Sequence, residues 1–295
     1  MKLNAIPVAA IALCAACAGR LPAQMPEAAP NVLMLMREQI KPGREAAHEK
    51  SEEAWSRIFR KGNLAAHYLG MTSESGPPEA WFLLPFDSFA AMEKVNAEIT
   101  RSPVASEFEA AGAADAEMRT GSRVWLAIFR GDLSYRPGDA MTSLPKCRHV
   151  AVTLLRIKYG HDAELAQAAK LLIDADERAM SDQPVLTYQV ISGGPSGLYL
   201  IFSPMPSLAR LDEAPARTAE ARRDMGEHNR ERLGTLAAET VQSSENLLFA
   251  FNPRMSYVSG KFAAGDPAFW KVAPEAPSKP AVRRKRAAKP AHPTP

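Results

Sequence analysis

The chain carries the same sequence pattern twice. An apolar run over 32–36 leads into Lys41 to Glu45 and then into a helix-like stretch. About 117 residues further on, the apolar run 150–155 leads into Lys158 to Asp162 and a second helix-like stretch. A tandem duplication constrains architecture more tightly than a local motif, because each copy must fold as the same supersecondary unit.

Hydrophobic periodicity predicts the order strand, helix, strand, strand, helix, strand in each copy. In the first copy the predicted strands are 32–40, 64–71, 80–84 and 124–129. The helices are 44–61 and a stretch from Asp87 or Ser88 to Arg119 that Pro103 kinks or splits. In the second copy the strands are 150–157, 185–191, 198–202 and 247–251, and the helices are 162–180 and a region from Ser207 past Leu236, interrupted near Pro215.

This order is the ferredoxin-like arrangement, a four-stranded antiparallel sheet with two helices on one face. Each sheet has a bare face that must be covered, and two copies in one chain can cover each other. The sequence therefore predicts an α+β protein in which two tandem ferredoxin-like repeats pack as an internal α/β barrel.

The chain resembles the dimeric α/β-barrel superfamily, which includes antibiotic-biosynthesis monooxygenase and NIPSNAP-like domains. The resemblance lies in the Lys41-Pro-Gly43 entry to the first helix, the strands carrying Tyr68 and Trp81, and the terminal strands of each repeat. It covers most of 31–260 and is one of pattern, so it places no catalytic set on this sequence.

Composition and pattern divide the chain into seven segments. They are a signal peptide (1–24), an extended lead-in (25–30), repeat one (31–137), a linker (138–147), repeat two (148–260), a packing segment (261–272) and a disordered basic Pro/Ala-rich tail (273–295).

The first 24 residues have the features of an export signal, with Lys2 before an apolar stretch too short to span a bilayer. Cleavage after Ala18 and cleavage near Ala23 both fit the small residues there, and lipidation at Cys17 is the alternative. We therefore expect a periplasmic or secreted protein, without a transmembrane segment after cleavage. Cys147 is then the one remaining cysteine, and it predicts no intramolecular disulfide.

The net charge of +3 belongs to the ends of the chain. The last twenty residues hold six Lys or Arg and no Asp or Glu, whereas the predicted repeats are net acidic. Nucleic acid is therefore not an expected partner of the folded part. The basic tail suits either contact with an anionic surface or a solubilising role.

Five residues form the candidate ligand pocket: Arg37, His67, Tyr68, Trp81 and Tyr188. Aromatic residues on strands that face a barrel interior suit a flat or lipophilic ligand, although strands favour aromatic residues for packing alone. A histidine such as His67 can serve as a base or a haem ligand, or can make an ordinary hydrogen bond.

Two functional hypotheses follow. The first is a non-catalytic small-ligand-binding or accessory protein of the cell envelope, with a small hydrophobic ligand or a protein partner and no cofactor. The second is a cofactor-independent or haem-linked oxidoreductase working around His67 and Tyr68. No His-x-x-x-His, Cys-x-x-Cys or Gly-rich phosphate motif lies in the predicted repeats, so the sequence predicts no dedicated zinc site and assigns no catalytic residue.

Overall fold

The computed structural model describes residues 28–271, so the predicted signal peptide, the lipidation site and the basic tail lie outside the described residues. The strands are β1 Val32–Ile40, β2 Tyr68–Ser73, β3 Glu79–Phe86, β4 Arg119–Phe129, β5 His149–Ile157, β6 Leu186–Ser192, β7 Leu198–Met205 and β8 Val241–Tyr257. The helices are α1 Glu45–Gly62, α2 Phe89–Arg101, α3 Ala105–Ala116, α4 Pro137–Ser143, α5 Asp162–Arg178, α6 Ala209–Met225, α7 Glu227–Thr240, α8 Gly260–Ala263 and α9 Pro267–Trp270.

The eight strands form one closed barrel in the order β1-β3-β2-β8-β5-β7-β6-β4. Strands β4-β1-β3-β2 form the sheet of repeat one, and β8-β5-β7-β6 form the sheet of repeat two in the same order. The sheets join edge to edge, because β2 pairs with β8 and β4 pairs with β6, both antiparallel. The predicted tandem ferredoxin-like α/β barrel is confirmed.

Alternation along each strand separates the barrel interior from the layer under the helices. On β1, Leu33 and Leu35 face the interior, where they meet Val150 and Val152 of β5 in one apolar core. Val32 and Ile40 face outward, into a second core beneath the helices of repeat one. A small apolar cavity of about 60 Å³ lies among the residues of the interior core, with Leu33 and Val150 in its wall.

The helices lie outside the barrel, and capping residues mark the start of α2, α8 and α9. The Ser88 hydroxyl accepts a hydrogen bond from the Ala91 amide at the start of α2, as an N-cap should. The predicted interruption near Pro215 is wrong, because Pro215 lies within α6. The break falls instead at Gly226, whose φ of 78° separates α6 from α7.

The segment between the repeats and the segment after repeat two are both ordered against the barrel. Residues 137–146 form α4 and a 3-10 turn, with Ala140 and Met141 buried in the interior core. Trp270 of α9 is buried in the same core, and its indole N–H donates to the Pro145 carbonyl at 2.6 Å. The two segments therefore pack on each other at the edge of the interior core.

The joint between β4 and the β6–β7 turn provides a direct test of barrel closure. Gly193 has φ of +82°, and a Cβ there would lie 2.0 Å from the Val124 carbonyl oxygen. We expect Gly193→Ala to lower the free energy of unfolding by about 3 kcal/mol, since it adds backbone strain and a clash with main chain. Gly138→Ala is the matched control, because its Cβ would meet nothing within 4 Å. Urea denaturation of the two variants checks this, and equal stabilities would contradict so close an approach of the two backbones.

Candidate functional site

The five residues of the sequence-derived pocket do not converge on one site. Arg37, Trp81 and Tyr188 lie on the inner face of the barrel, where Trp81 and Tyr188 belong to the interior core. Tyr68 faces the opposite way, into the core under the helices of repeat one. His67 lies just before β2, with its ring against that of Tyr257 at 4.9 Å. The structure thus distributes these residues over two layers.

Arg37 and Glu79 form a largely buried ion pair inside the barrel. Arg37 Nε and Nη2 donate to the two Glu79 carboxylate oxygens at 2.7 and 2.8 Å, and Trp81 Nε1 donates to Glu79 Oε2 at 2.8 Å. The guanidinium also lies over the rings of Trp81 and Trp125, at 5.2 and 5.7 Å from the ring centroids. Each charge is therefore matched, as burial requires. The group has the geometry of a structural network.

The two repeats carry aromatic residues at similar sequence positions, such as Trp81 and Tyr199, but strand register shows that these residues are not structurally equivalent. Strand pairing matches Trp81 with Arg37 in repeat one and Leu200 with Leu154 in repeat two, so Trp81 corresponds to Leu200 and not to Tyr199. A one-residue offset reverses the face, which places Tyr199 under the helices. Tyr68 and Tyr188 likewise occupy corresponding strands but opposite faces.

His67 is half-buried and hydrogen-bonds to the backbone of Tyr257, whereas Tyr68 is buried. His67 Nδ1 and the Tyr68 hydroxyl each lack a hydrogen-bond partner. Burial lowers the pKa of His67, and burial followed by the nearby Glu52 carboxylate raises the pKa of Tyr68 well above its ordinary value. Both therefore favour their neutral forms, and neither lines the cavity inside the barrel or the one under the helices of repeat two.

Cys147 and His149 do not form a nucleophile–base pair. Burial raises the pKa of the Cys147 thiol to about 11, and its Sγ lies 3.5 Å from the Ser143 carbonyl oxygen. His149 instead pairs through Nδ1 with Glu74 Oε2 at 2.7 Å. The thiol is therefore protonated near neutral pH, and only the thiolate is a good nucleophile.

A cluster of charged residues lies under α1 and α3, on the outer face of the repeat-one sheet. This repeat-one cluster comprises Glu38, His48, Glu52, Asp115 and Arg119, and the first four are buried. His48 Nε2 lies 2.9 Å from Glu38 Oε2, 3.3 Å from Asp115 Oδ1 and 3.8 Å from Glu52 Oε1. Burial is the main cause that raises the pKa of Glu52 and Asp115, and neighbouring carboxylates raise it further.

The five corresponding positions in repeat two all carry apolar residues. The offset of 117 residues pairs Glu38, His48 and Glu52 with Leu155, Leu165 and Ala169, and strand register pairs Arg119 with Val241. Asp115, four residues before Arg119, corresponds to Ala237. The same fold is therefore built once around ionisable groups and once around aliphatic ones.

Those five aliphatic residues line a cavity of about 340 Å³ between the repeat-two sheet and helices α5 and α7. The walls are mostly Leu, Ile, Val and Ala, and the polar groups include Asp176, Tyr199 and Thr240. Thr240 Oγ1 is buried without a hydrogen-bond partner. Burial raises the pKa of Asp176, and burial together with a hydrogen bond to Asp162 raises that of Tyr199 to about 12. An apolar cavity with a few polar groups is the usual form of a small-molecule site.

The cavity does not fit a haem. Haem iron is held by His, Cys, Met or Tyr, and among the described residues the walls include no His, Cys or Met. The hydroxyls of its two tyrosines are already engaged, Tyr199 with Asp162 at 2.6 Å and Tyr135 with the Ser181 carbonyl at 3.1 Å.

Sequence reasoning missed both the repeat-one cluster and the repeat-two cavity. The residues of the cluster come from four separate elements, β1, α1, α3 and β4, so they form no short-spaced ligand motif in the sequence. The available signal was the comparison of the two copies at a fixed offset, which places His48 and Glu52, four residues apart on α1, opposite Leu165 and Ala169.

The Arg37–Glu79 pair permits a test of its structural role, since repeat two has Leu154 and Leu198 at the corresponding positions. We expect Arg37→Leu alone to lower the free energy of unfolding by about 3–5 kcal/mol, because it leaves Glu79 buried and unpaired. Adding Glu79→Leu should recover most of this loss. Chemical denaturation of both variants measures the difference, and a single variant as stable as the double one would show that the pair is not a closed network.

Comparisons with known proteins find likeness in fold alone. No family model matches the chain, and no curated protein matches it in sequence. An anthrone oxidase-like protein is 12% identical, with 77% of this chain and 94% of that chain covered and a TM-score of 0.48. A putative monooxygenase from Lactobacillus acidophilus is 7% identical, with 75% and 94% covered and a TM-score of 0.46. A haem-binding protein from Thermus thermophilus is 11% identical, with 84% and 100% covered and a TM-score of 0.45.

These similarities cover the barrel but are too distant to transfer a ligand or a residue role. The architecture itself is read from this chain, whose two repeats show the same strand order in one closed barrel. It consists of two ferredoxin-like sheets closed into one barrel within a single chain.

Proposed function

We propose that this protein binds a small, largely apolar molecule in the repeat-two cavity. The observation that carries the proposal is the cavity of about 340 Å³, which lies where repeat one has its charged cluster. Its volume is at the lower end of the range for small-molecule sites. The atoms that line an empty cavity lack van der Waals partners on one side, and a ligand with an aliphatic or aromatic body would supply them.

The buried polar groups indicate where a polar part of the ligand would lie. Thr240 Oγ1 has no partner, and its residue is 1% exposed. A buried hydroxyl without a hydrogen bond costs free energy. A ligand group that bonds to the Thr240 hydroxyl would remove this cost, and no further desolvation of the hydroxyl would be needed. Burial raises the pKa of Asp176, and a carboxyl accepts hydrogen bonds and, when protonated, can also donate one. The proposed ligand is therefore uncharged, with one or two hydrogen-bonding groups.

The oxidoreductase hypothesis has less support from the residues of this chain. The names of the solved structures of similar fold accord with it better than with an accessory protein, but TM-scores below 0.5 carry no functional argument. His67 and Tyr68 lie apart from the repeat-two cavity, and its walls do not fit a haem.

An envelope location is part of the proposal and rests on the sequence of 1–24. None of the helices within 28–271 has the length and apolarity that crossing a membrane requires.

Filling the cavity should abolish binding. Ala169 lines the cavity, and Ala169→Phe places a ring in the space that the ligand would occupy. We expect loss of a co-purifying mass in native mass spectrometry and at least a tenfold loss of affinity for an environment-sensitive apolar dye. Ala114→Phe, at an exposed position on α3, adds the same side chain elsewhere and should change neither. Equal dye binding by the two variants would contradict the proposal.

Removing the unpartnered hydroxyl separates ligand recognition from stability. In the ligand-free protein, Thr240→Val should leave the unfolding temperature unchanged or raise it, because the hydroxyl is buried without a partner. Affinity for the co-purifying molecule should fall about fivefold or more. Thermal unfolding and a competition assay measure the two effects. A large loss of stability without ligand would assign Thr240 a structural role instead.

A further inference from the structure

The repeat-one cluster directs four potential metal ligands at one point. The atoms are Nε2 of His48 and one carboxylate oxygen each from Glu38, Glu52 and Asp115, all within 4.8 Å of one another. Two donors that bind one ion at about 2.0–2.2 Å lie at most roughly 4.4 Å apart, on opposite sides of the ion, so the donor atoms must move closer together when an ion binds. We infer that the cluster is a binding site for a divalent first-row transition-metal ion.

Arg119 orients two of the carboxylates toward that point. It bonds to Glu38 Oε1 and to Asp115 Oδ2, the latter at 2.8 Å. The other oxygen of each carboxylate is thereby left to face His48 Nε2. Hydrogen bonds that fix the outer oxygens of ligating carboxylates are a regular feature of metal sites. Arg119 is thus a positioning residue.

One atom of the cluster lacks a hydrogen-bond partner although it is buried. Asp115 Oδ1 lies 3.3 Å from His48 Nε2 without the geometry of a hydrogen bond, and Asp115 is 1% exposed. The Glu52 carboxyl is the other polar neighbour of the Asp115 side chain. Nε2 can donate one hydrogen at most, and Glu38 Oε2 is closer, at 2.9 Å. A buried carboxylate oxygen without a partner is costly. A bound cation would satisfy it together with the oxygens of Glu38 and Glu52.

A cleft of about 440 Å³ reaches the cluster from outside, with His48 in its wall. Within the described residues its walls carry four glutamates and no Lys or Arg. Glu74 pairs with His149 and Glu79 with Arg37, so Glu45 and Glu49 supply the negative charge of the cleft. A cleft lined by one sign of charge raises the local concentration of the opposite ion. The cleft therefore provides an acidic entry for a cation.

Repeat two shows that the fold does not require these charges, because aliphatic residues occupy all five corresponding positions. The donor set of one imidazole and three carboxylates indicates the class of ion. Carboxylates suit Mn²⁺ and imidazole suits Fe²⁺ and Zn²⁺. This inference does not depend on the ligand proposed for repeat two.

The test is titration of the chelator-treated, dialysed protein with Mn²⁺ and, separately, with Zn²⁺. We expect one ion per chain and a higher unfolding temperature in the presence of the ion, since a ligand of the native state stabilises it. The near-isosteric variants Glu52→Gln and Asp115→Asn should each lower the affinity at least tenfold.

Two further variants keep the test falsifiable if a single substitution unfolds the protein. The first replaces the repeat-one cluster by its repeat-two counterparts: Glu38→Leu, His48→Leu, Glu52→Ala, Asp115→Ala and Arg119→Val. It should unfold cooperatively and bind no ion. The second, His161→Gln, removes a histidine–glutamate pair of repeat two and should bind as the wild type does. The inference is overturned if the wild type takes up no more of either ion than the five-residue variant, or if Glu52→Gln and Asp115→Asn leave the affinity unchanged.

Discussion

The structure depends on the edge-to-edge pairing of the two sheets. Each ferredoxin-like sheet has two open edges and one bare face, and an isolated copy would expose all three. Pairing β2 with β8 and β4 with β6 removes the edges, and closure buries both bare faces in one interior core. Closure also leaves each repeat with its own separate layer between sheet and helices, and those layers hold the two candidate sites.

The two helix–sheet layers show that one backbone plan can support opposite chemistry. In repeat one the layer combines an apolar core around Phe59 and Phe82 with a charged cluster around His48. In repeat two the corresponding positions carry Leu and Ala side chains that leave a cavity. Buried charges cost free energy unless they are paired or bind an ion. A duplicated fold that keeps them in one copy alone therefore indicates a role beyond packing.

The sequence predicted the architecture because the repeat and its periodicities determine it. The Lys41 and Lys158 turns end their strands at the same place, and Gly43 and Gly160 share a positive φ. The candidate site was not predictable in the same way. Trp81 and Tyr199 looked equivalent in sequence, but a one-residue offset in register placed them on opposite faces. The partners of His48 come from distant parts of the chain, and only the pairing of β1 with β4 brings Glu38 beside Arg119.

The central claim is that corresponding places in the two repeats differ in kind, one polar and one an apolar cavity. Xenon binds to apolar cavities, so a diffraction data set from a xenon-pressurised crystal tests the claim directly. We predict an anomalous peak enclosed by Leu155, Leu165 and Ala237, and none beside His48. Absence of the first peak, or an equal peak at both places, would contradict the claim.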